Sequence, residues 1–481
     1  MGSDNTGQSL PSLDSQLDHD FHSGWGSVYT NRSTVGDEET LPLWLQYASN
    51  KNSVERKYQQ LLHEYTDLFG DFFGGYYPIS MHAHATDALL PTTIASLILN
   101  TIATSPLVLN SPTLKPKPDE NPEDTGKRVR DFALSFLGWD DKHILSPNFI
   151  VADNIYGAGY GPLAHTSKEW EISAIASGPK PIVVNMKDTT EEALDAQFKD
   201  AKAKGCIAVV FDLVSTEDGL VLHPDNFGMI KACCARNRLL LIVDETMTAM
   251  RCGAPFAFQR PEYAQMEADK QPDLVIFGKG IGVSGVAIGF KGVITTGLTY
   301  TDPDDIRQTI RYWRALVSRP IRLPLLLEAL SILRAAQRED WPAKSEQIGE
   351  VIREVIGELD PRTKKPDAVR GLGAVVAVNR EVAMRFRIMS AIRRRSPWVR
   401  WLPKLSGSSA DREELKRQVF GRESKAQRQI LAKEADQCGT IPLWCFICGI
   451  EATSKDWCRT CYLSFCDNEV CVQAFHRHAC V

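Results

Sequence analysis

The sequence predicts a mainly parallel α/β sheet with helices on both faces, a smaller α+β subdomain after it, and a small metal-stabilised finger at the end. Three observations carry this. From about residue 125 to 297, short apolar, β-branched runs alternate with helix-length segments, the pattern of strands buried on both faces. Polar residues close those runs: Asp153, Asp212, Asp244, Glu245 and Lys279. Seven of the twelve cysteines fall between Cys445 and Cys480.

The elements follow in order. Residues 1–40 are rich in Ser, Asp, Asn, Gly and Thr and are expected to form a mobile tail. Residues 41–100 read as helical in pieces, because VERKYQQLLHEYTDLFGDFF repeats apolar residues at three- and four-residue spacing. Prolines make 111–124 a loop. GKRVRDFALSFLGW is expected to be a helix and NFIVAD (148–153) a strand. TEEALDAQFKDAKAKG predicts a helix ending at Gly205, and CIAVVFDLV (206–214) the next strand. NFGMIKACCARNR predicts a helix, and LLLIVDE (239–245), PDLVIFGKG (272–280) and FKGVITTG (290–297) three further strands. DDIRQTIRYWRALVS, LPLLLEALSILRAAQRED and AKSEQIGEVIREVIGEL are helical, and GLGAVVAVN (371–379) is a strand of the smaller subdomain. The main domain is expected over 41–415, a charged linker over 416–440 and the finger over 441–481.

Length and composition fit this plan. The 481 residues suit roughly two to four domains. At 43% hydrophobic and 24% charged, the chain has globular composition. A net charge of −5, from 55 basic and 60 acidic residues, gives no support to a nucleic-acid-coating protein. The run Arg393-Arg394-Arg395 reads as a solvated face. No apolar run reaches the roughly 20 residues that span a bilayer, so no membrane partner is expected. The first twenty residues lack a basic and apolar leader, which predicts a cytoplasmic location with the nucleus left open.

An acid at one strand end and a lysine at another are common in α/β proteins, and by themselves read as loop charges. The surroundings of this pair differ. FGKGIGVSG sets Lys279 between glycines, where the backbone turns sharply and an amine can face a cleft. Asp244 closes the apolar run LLLIV. An amine next to a buried carboxylate suits pyridoxal phosphate. The amine binds the aldehyde, and the carboxylate keeps the pyridine nitrogen protonated so that the ring accepts electrons.

LLLIVDETMTAMRCG followed by QPDLVIFGKGIGVSG resembles the class III aminotransferases, pyridoxal-phosphate enzymes of fold type I. The Asp244-Glu245-x-Met247-Thr248-x-x-Arg251 run is most similar to the glutamate-1-semialdehyde aminomutase branch. The resemblance extends in order over about 125–415, through the segments ending at Thr166, Glu245 and Val378 and through VRWLPKLSGSS. It implies that Lys279 is the Schiff-base lysine and the proton shuttle, and that Asp244 pairs with the pyridinium nitrogen. Glu245 would support Asp244 or its loop, and Met247 would lie near the cofactor's 3′-oxygen. Asp212 stands where relatives carry a substrate-facing Glu, and Arg400 matches the arginine that grips a substrate carboxylate.

Two motifs depart from the family. Its Tyr-His-Gly is Ile155-Tyr156-Gly157, so Tyr156 and Gly157 become the stacking candidates. Its phosphate-binding motif aligns with Pro122-Glu123-Asp124-Thr125-Gly126, which leaves Thr125 and Gly126 as donors at a helix N-terminus. The family resemblance implies a transaminase or aminomutase taking a small-molecule amino donor and acceptor and working as a homodimer. The alternative is a degenerate scaffold of the same fold, with the finger making the functional contacts.

The finger reads Cys445-x2-Cys448-x9-Cys458-x2-Cys461-x4-Cys466-x4-Cys471-x4-His476-x3-Cys480, with His478 as a ninth candidate. Eight ligands suffice for two tetrahedral Zn2+ ions, whose binding would supply folding energy that so short a stretch cannot draw from a core. The pattern resembles MYND-type cross-brace fingers. That resemblance implies one site from Cys445, Cys448, Cys466 and Cys471, another from Cys458, Cys461, His476 and Cys480, and a protein partner as the target.

Overall fold

The computed structural model describes residues 51–82, 148–152, 181–264 except 216–217, 271–289, 303–359 except 318–320 and 322, 369–379 and 398–401, with short pieces at 92, 95–96, 443–444 and 451–452. The strands are β1 (Tyr76–His82), β2 (Asn148–Ala152), β3 (Ile182–Val184), β4 (Cys206–Phe211), β5 (Leu240–Asp244), β6 (Leu274–Phe277), β7 (Ser284–Gly289), β8 (Val369–Arg370), β9 (Val376–Asn379) and β10 (Trp398–Trp401). The longer helices are α1 (Lys51–Phe72), α2 (Glu191–Ala203), α3 (Pro224–Asn237), α4 (Pro303–Val317), α5 (Leu323–Arg338) and α6 (Trp341–Leu359).

β1 to β7 form one sheet in the order β1-β7-β6-β5-β4-β2-β3. β3, β2, β4, β5 and β6 pair in parallel, whereas β7 runs antiparallel to both β6 and β1. β1 therefore points the same way as the parallel set. The centre of the sheet is continuous apolar strand: all six residues of Cys206–Phe211 and all four of Leu274–Phe277 are buried.

The helices follow from local chemistry. Thr190 caps α2 by accepting the Ala193 N–H at 3.3 Å, with Glu191 and Glu192 in the first turn and Leu194, Phe198 and Ala201 on the buried stripe. His223 caps α3, Pro224 opens it, and Arg238 ends it in the left-handed region at φ 52. α1 buries Leu61, Tyr65 and Phe69, the helical stripe that its spacing predicts, and Phe73 just past its end continues it. It packs on α5 and β1. Arg307 of α4 grips Asp67 of α1 through both carboxylate oxygens. Deeper in that interface, Arg314 donates to Pro78 O at 2.9 Å and Thr66 Oγ1 at 2.7 Å, and burial pulls its guanidinium pKa down to about 10. Among the described residues no helix is long and apolar enough to cross a membrane.

β8, β9 and β10 form a second, antiparallel sheet. It is held to the loop after β5: Ala374 N donates to Arg251 O at 2.7 Å, and Arg353 of α6 donates to Gly371 O and Gly373 O at 3.1 Å.

Two strands differ from the sequence expectation. Tyr76–His82 lies in a stretch expected to be helical, because YYPISMH carries neither strict alternation nor a continuous apolar run. Its place is set by pairing with β7 rather than by its own pattern. A strand that the sequence reading did not expect, Ser284–Gly289, lies between Lys279 and the expected strand 290–297, and its glycines hid it. Residues 290–297 lie outside the described residues, as do the tail, the linker and the finger's ligands.

Candidate active site

In an open α/β sheet, ligands bind beyond the carboxyl ends of the strands. Here that edge is formed by the ends of β4, β5, β6 and β1 and the start of β7. Asp212 follows β4, Asp244 ends β5, and Lys279 lies two residues past β6. Three of the expected residues thus come to one edge from three neighbouring strands, although 67 positions separate the first from the last in sequence.

Asp244 is held in place. Its Oδ1 accepts the Thr246 N–H at 2.9 Å. Burial pushes its carboxyl above the usual carboxylate range, while hydrogen bonds from the Thr246 side chain and backbone and the nearby charge of Lys279 pull it back. The amine of Lys279 is therefore close enough to act electrostatically on Asp244. Lys279 takes a left-handed conformation at φ 49, a strained geometry for a non-glycine residue and one found at functional sites. Gly278 is required just before it. A Cβ there would lie 2.7 Å from Ser284 Oγ and 3.1 Å from Thr246 Cγ2.

Glu245 is turned the other way. Fully buried, it accepts from Thr248 Oγ1 and from the Phe258 N–H at 3.3 Å. It braces the loop that leaves the site, the second of its two expected roles, and its side chain reaches no open edge. Burial lifts its pKa from 4.5 to about 7, against the pull of these hydrogen bonds. Because the folded state binds this proton more tightly than the unfolded chain, its contribution to stability is complete below about pH 4.5 and is lost as pH rises through 7. The unfolding free energy of the protein relative to its Glu245→Gln variant should fall by about 3 kcal/mol between pH 4.5 and 8. Urea titrations at stepped pH read this directly, and a difference flat with pH would remove the buried proton from the account.

Asp212 is buried, and the hairpin behind it leads to the second sheet. Val214 bridges Val221, Asp218 pairs with Arg370 at 3.0 Å, and Gly219, at φ 68, packs its backbone on Ala377. Arg400 lies opposite Ala377 in register. The strand expected to carry the carboxylate-binding arginine is therefore one ladder step from the residue that the Asp212 hairpin touches. Met247 is buried beside the Asp244 turn. Tyr156, Gly157, Thr125, Gly126 and the eight zinc candidates lie outside the described residues. Sequence reading missed Thr246, which holds Asp244, and the arrival of Ser284 and His82 at the same edge. The last two arrive on strands whose existence the sequence concealed.

The structure thus has a mainly parallel sheet with one antiparallel strand, a second small sheet, and a lysine and a half-buried aspartate at the carboxyl edge. The lysine aminotransferase of M. tuberculosis shares this fold, with a TM-score of 0.54 at 18% identity over 80% of this chain and 84% of that one. Residues 169–397 match the model of the family described as aminotransferase class-III. Among curated proteins, the 5-aminovalerate aminotransferase of Pseudomonas aeruginosa is 28% identical over 199 residues, 40% of this chain and 42% of its own length. The 4-aminobutyrate aminotransferase of Escherichia coli is 26% identical over 236 residues, 47% of this chain and 48% of its own. The ornithine aminotransferase of Saccharomyces cerevisiae is 26% identical over 175 residues, 33% of this chain and 40% of its own. The match spans less than half the length of each of these relatives.

Proposed function

We propose that this protein is a pyridoxal-phosphate-dependent aminotransferase that moves an amino group between small amino and keto compounds. The observation that carries this is the Lys279–Asp244 pair at the carboxyl edge, in which a strained lysine lies within electrostatic reach of a half-buried carboxylate. The donor set fits the cofactor: an amine for its aldehyde and a carboxylate for its ring nitrogen. When bound, pyridoxal phosphate supplies an electron sink for the carbon that loses its proton. Lys279 would hold the aldehyde and then move the proton at the substrate carbon. Asp244, fixed by Thr246, would keep its charge facing the ring nitrogen. Asp212 would face the substrate from β4, and Arg400 would take its carboxylate. The named relatives act on amines at the end of short carboxylate chains, which makes a small amino acid of that kind the first donor to try. The Met247-Thr248 signature keeps an intramolecular amino shift as the variant reaction to assay beside it.

The same proposal has the chain acting in the cytoplasm as a homodimer whose terminal module binds two Zn2+ through Cys445, Cys448, Cys458, Cys461, Cys466, Cys471, His476 and Cys480 and contacts a protein partner. Supporting this, Leu443 pairs with Ala452 and Trp444 with Glu451, so that two short strands bracket the segment holding Cys445 and Cys448. Elemental analysis of the purified protein should find two zinc per chain, and a metal-free, folded finger would end the zinc assignment. A scaffold that only presents the finger has no need of an aligned Lys279 and Asp244.

The test is an absorbance scan of the purified protein with and without added pyridoxal phosphate, then after borohydride. A band at the visible edge that reduction removes, with the adduct mapped to Lys279, is the expected result. No band with excess cofactor would overturn the proposal.

A further inference from the structure

We propose that Ser284 and His82 receive the phosphate end of the cofactor, in place of the donors expected at Thr125 and Gly126. This rests on the pyridoxal-phosphate assignment above. The strand registers carry it. Val286 stands opposite Ile276 and opposite Ser80, and Ile276 opposite Asp244. The next row towards the carboxyl edge, on the same face, runs Thr246, Gly278, Ser284, His82. His82 pairs directly with Ser284. The short distances from Gly278 to Thr246 and Ser284 close the middle of that row. The β4–β5 register, which pairs Phe211 with Val243, carried one residue further sets Asp212 beside Asp244 on the other side.

Asp244 and Lys279 fix an axis across the pyridine ring, from its nitrogen to the aldehyde carbon opposite. The phosphate arm leaves the ring to one side of that axis, so it has two directions open. Towards β4 it meets the acidic Asp212, buried and repulsive to a phosphate dianion. Towards β7 and β1 it meets a hydroxyl and an imidazole, both able to donate a hydrogen bond. Ser284 is buried and His82 partly exposed at the edge, and the two strands lie one and two steps of roughly 4.8 Å from β6. Charge therefore selects the Ser284–His82 side.

Paired titrations with pyridoxal phosphate and with pyridoxal, which lacks the phosphate, isolate this contact from the rest of the site. Absorbance or fluorescence gives the affinity without any need for turnover. Ser284→Ala and His82→Gln should each weaken pyridoxal phosphate binding about tenfold and leave pyridoxal affinity within about twofold. Inorganic phosphate should compete with pyridoxal phosphate in the unaltered protein and compete less in either variant. Equal weakening of both ligands would make the residues structural and overturn the inference, as would unchanged affinity for both. Ser284→Ala only trims a buried hydroxyl, so it decides the matter even where His82→Gln does not fold. A wild-type protein that binds neither ligand overturns the cofactor assignment itself. Wild-type binding with an unchanged ligand ratio in the variants overturns only this inference.

Discussion

Lys279→Ala is expected to abolish the borohydride-trapped adduct and to lower turnover at least about a thousandfold, because on the proposed assignment it would remove both the covalent hold on the cofactor and the group that moves the proton. The fold should survive the change. Lys279 already occupies the left-handed region at φ 49, and alanine pays a similar steric cost there, so the backbone strain cancels between the two proteins. The charge of Lys279 also restrains the pKa of Asp244, and its loss should let that carboxyl rise further. Lys279→Arg separates the two effects. It keeps a cation beside Asp244 but offers no amine that can condense with an aldehyde, so it should match the alanine variant in turnover. Turnover in either variant within tenfold of wild type, or an adduct mapped to another lysine, would move the chemistry elsewhere in the chain.

The parts of this design that were legible in the sequence are those written in local pattern. Runs such as CIAVVF and LLIV are buried on both faces, so their hydrophobicity alone marks them as central parallel strands. Asp212, Asp244 and Lys279 were visible because each breaks such a run at its carboxyl end. What was hidden depended on partners far away in sequence. YYPISMH becomes a strand because Ser284–Gly289 lies beside it, and more than 200 residues separate the two. Ser284 itself was masked by Gly282 and Gly285, which suggested a continuing loop. Without those two strands, nothing in the local pattern brought Ser284 or His82 to the edge that carries Lys279. Glu245 shows the opposite limit. Its adjacency to Asp244 left two roles open, support of Asp244 or of the loop; successive strand-end residues face opposite ways, and this one turns inward to Thr248 and Phe258.

Asp244→Asn should leave the cofactor attached and the protein folded, while turnover falls at least about a hundredfold. Asparagine keeps the shape of the side chain, and its carbonyl oxygen can still accept the Thr246 N–H that now reaches Oδ1 at 2.9 Å. What it lacks is the negative charge that, on the proposed assignment, would favour protonation of the ring nitrogen, and a neutral amide cannot replace it. The visible band and the Lys279 adduct should therefore persist. Losing them together with activity would mean that Asp244 holds the loop rather than the ring. A pH profile sharpens the distinction. Burial already favours the protonated form of Asp244, with Thr246 and Lys279 opposing it. Wild-type turnover should thus decline on the acid side as this carboxyl takes up its proton, at a pH above that of an ordinary aspartate. The asparagine variant has no such group to titrate, so its low rate should be flat over the same range. A variant that keeps the acid limb would assign that titration to another residue of the edge, with Asp212 the next to replace.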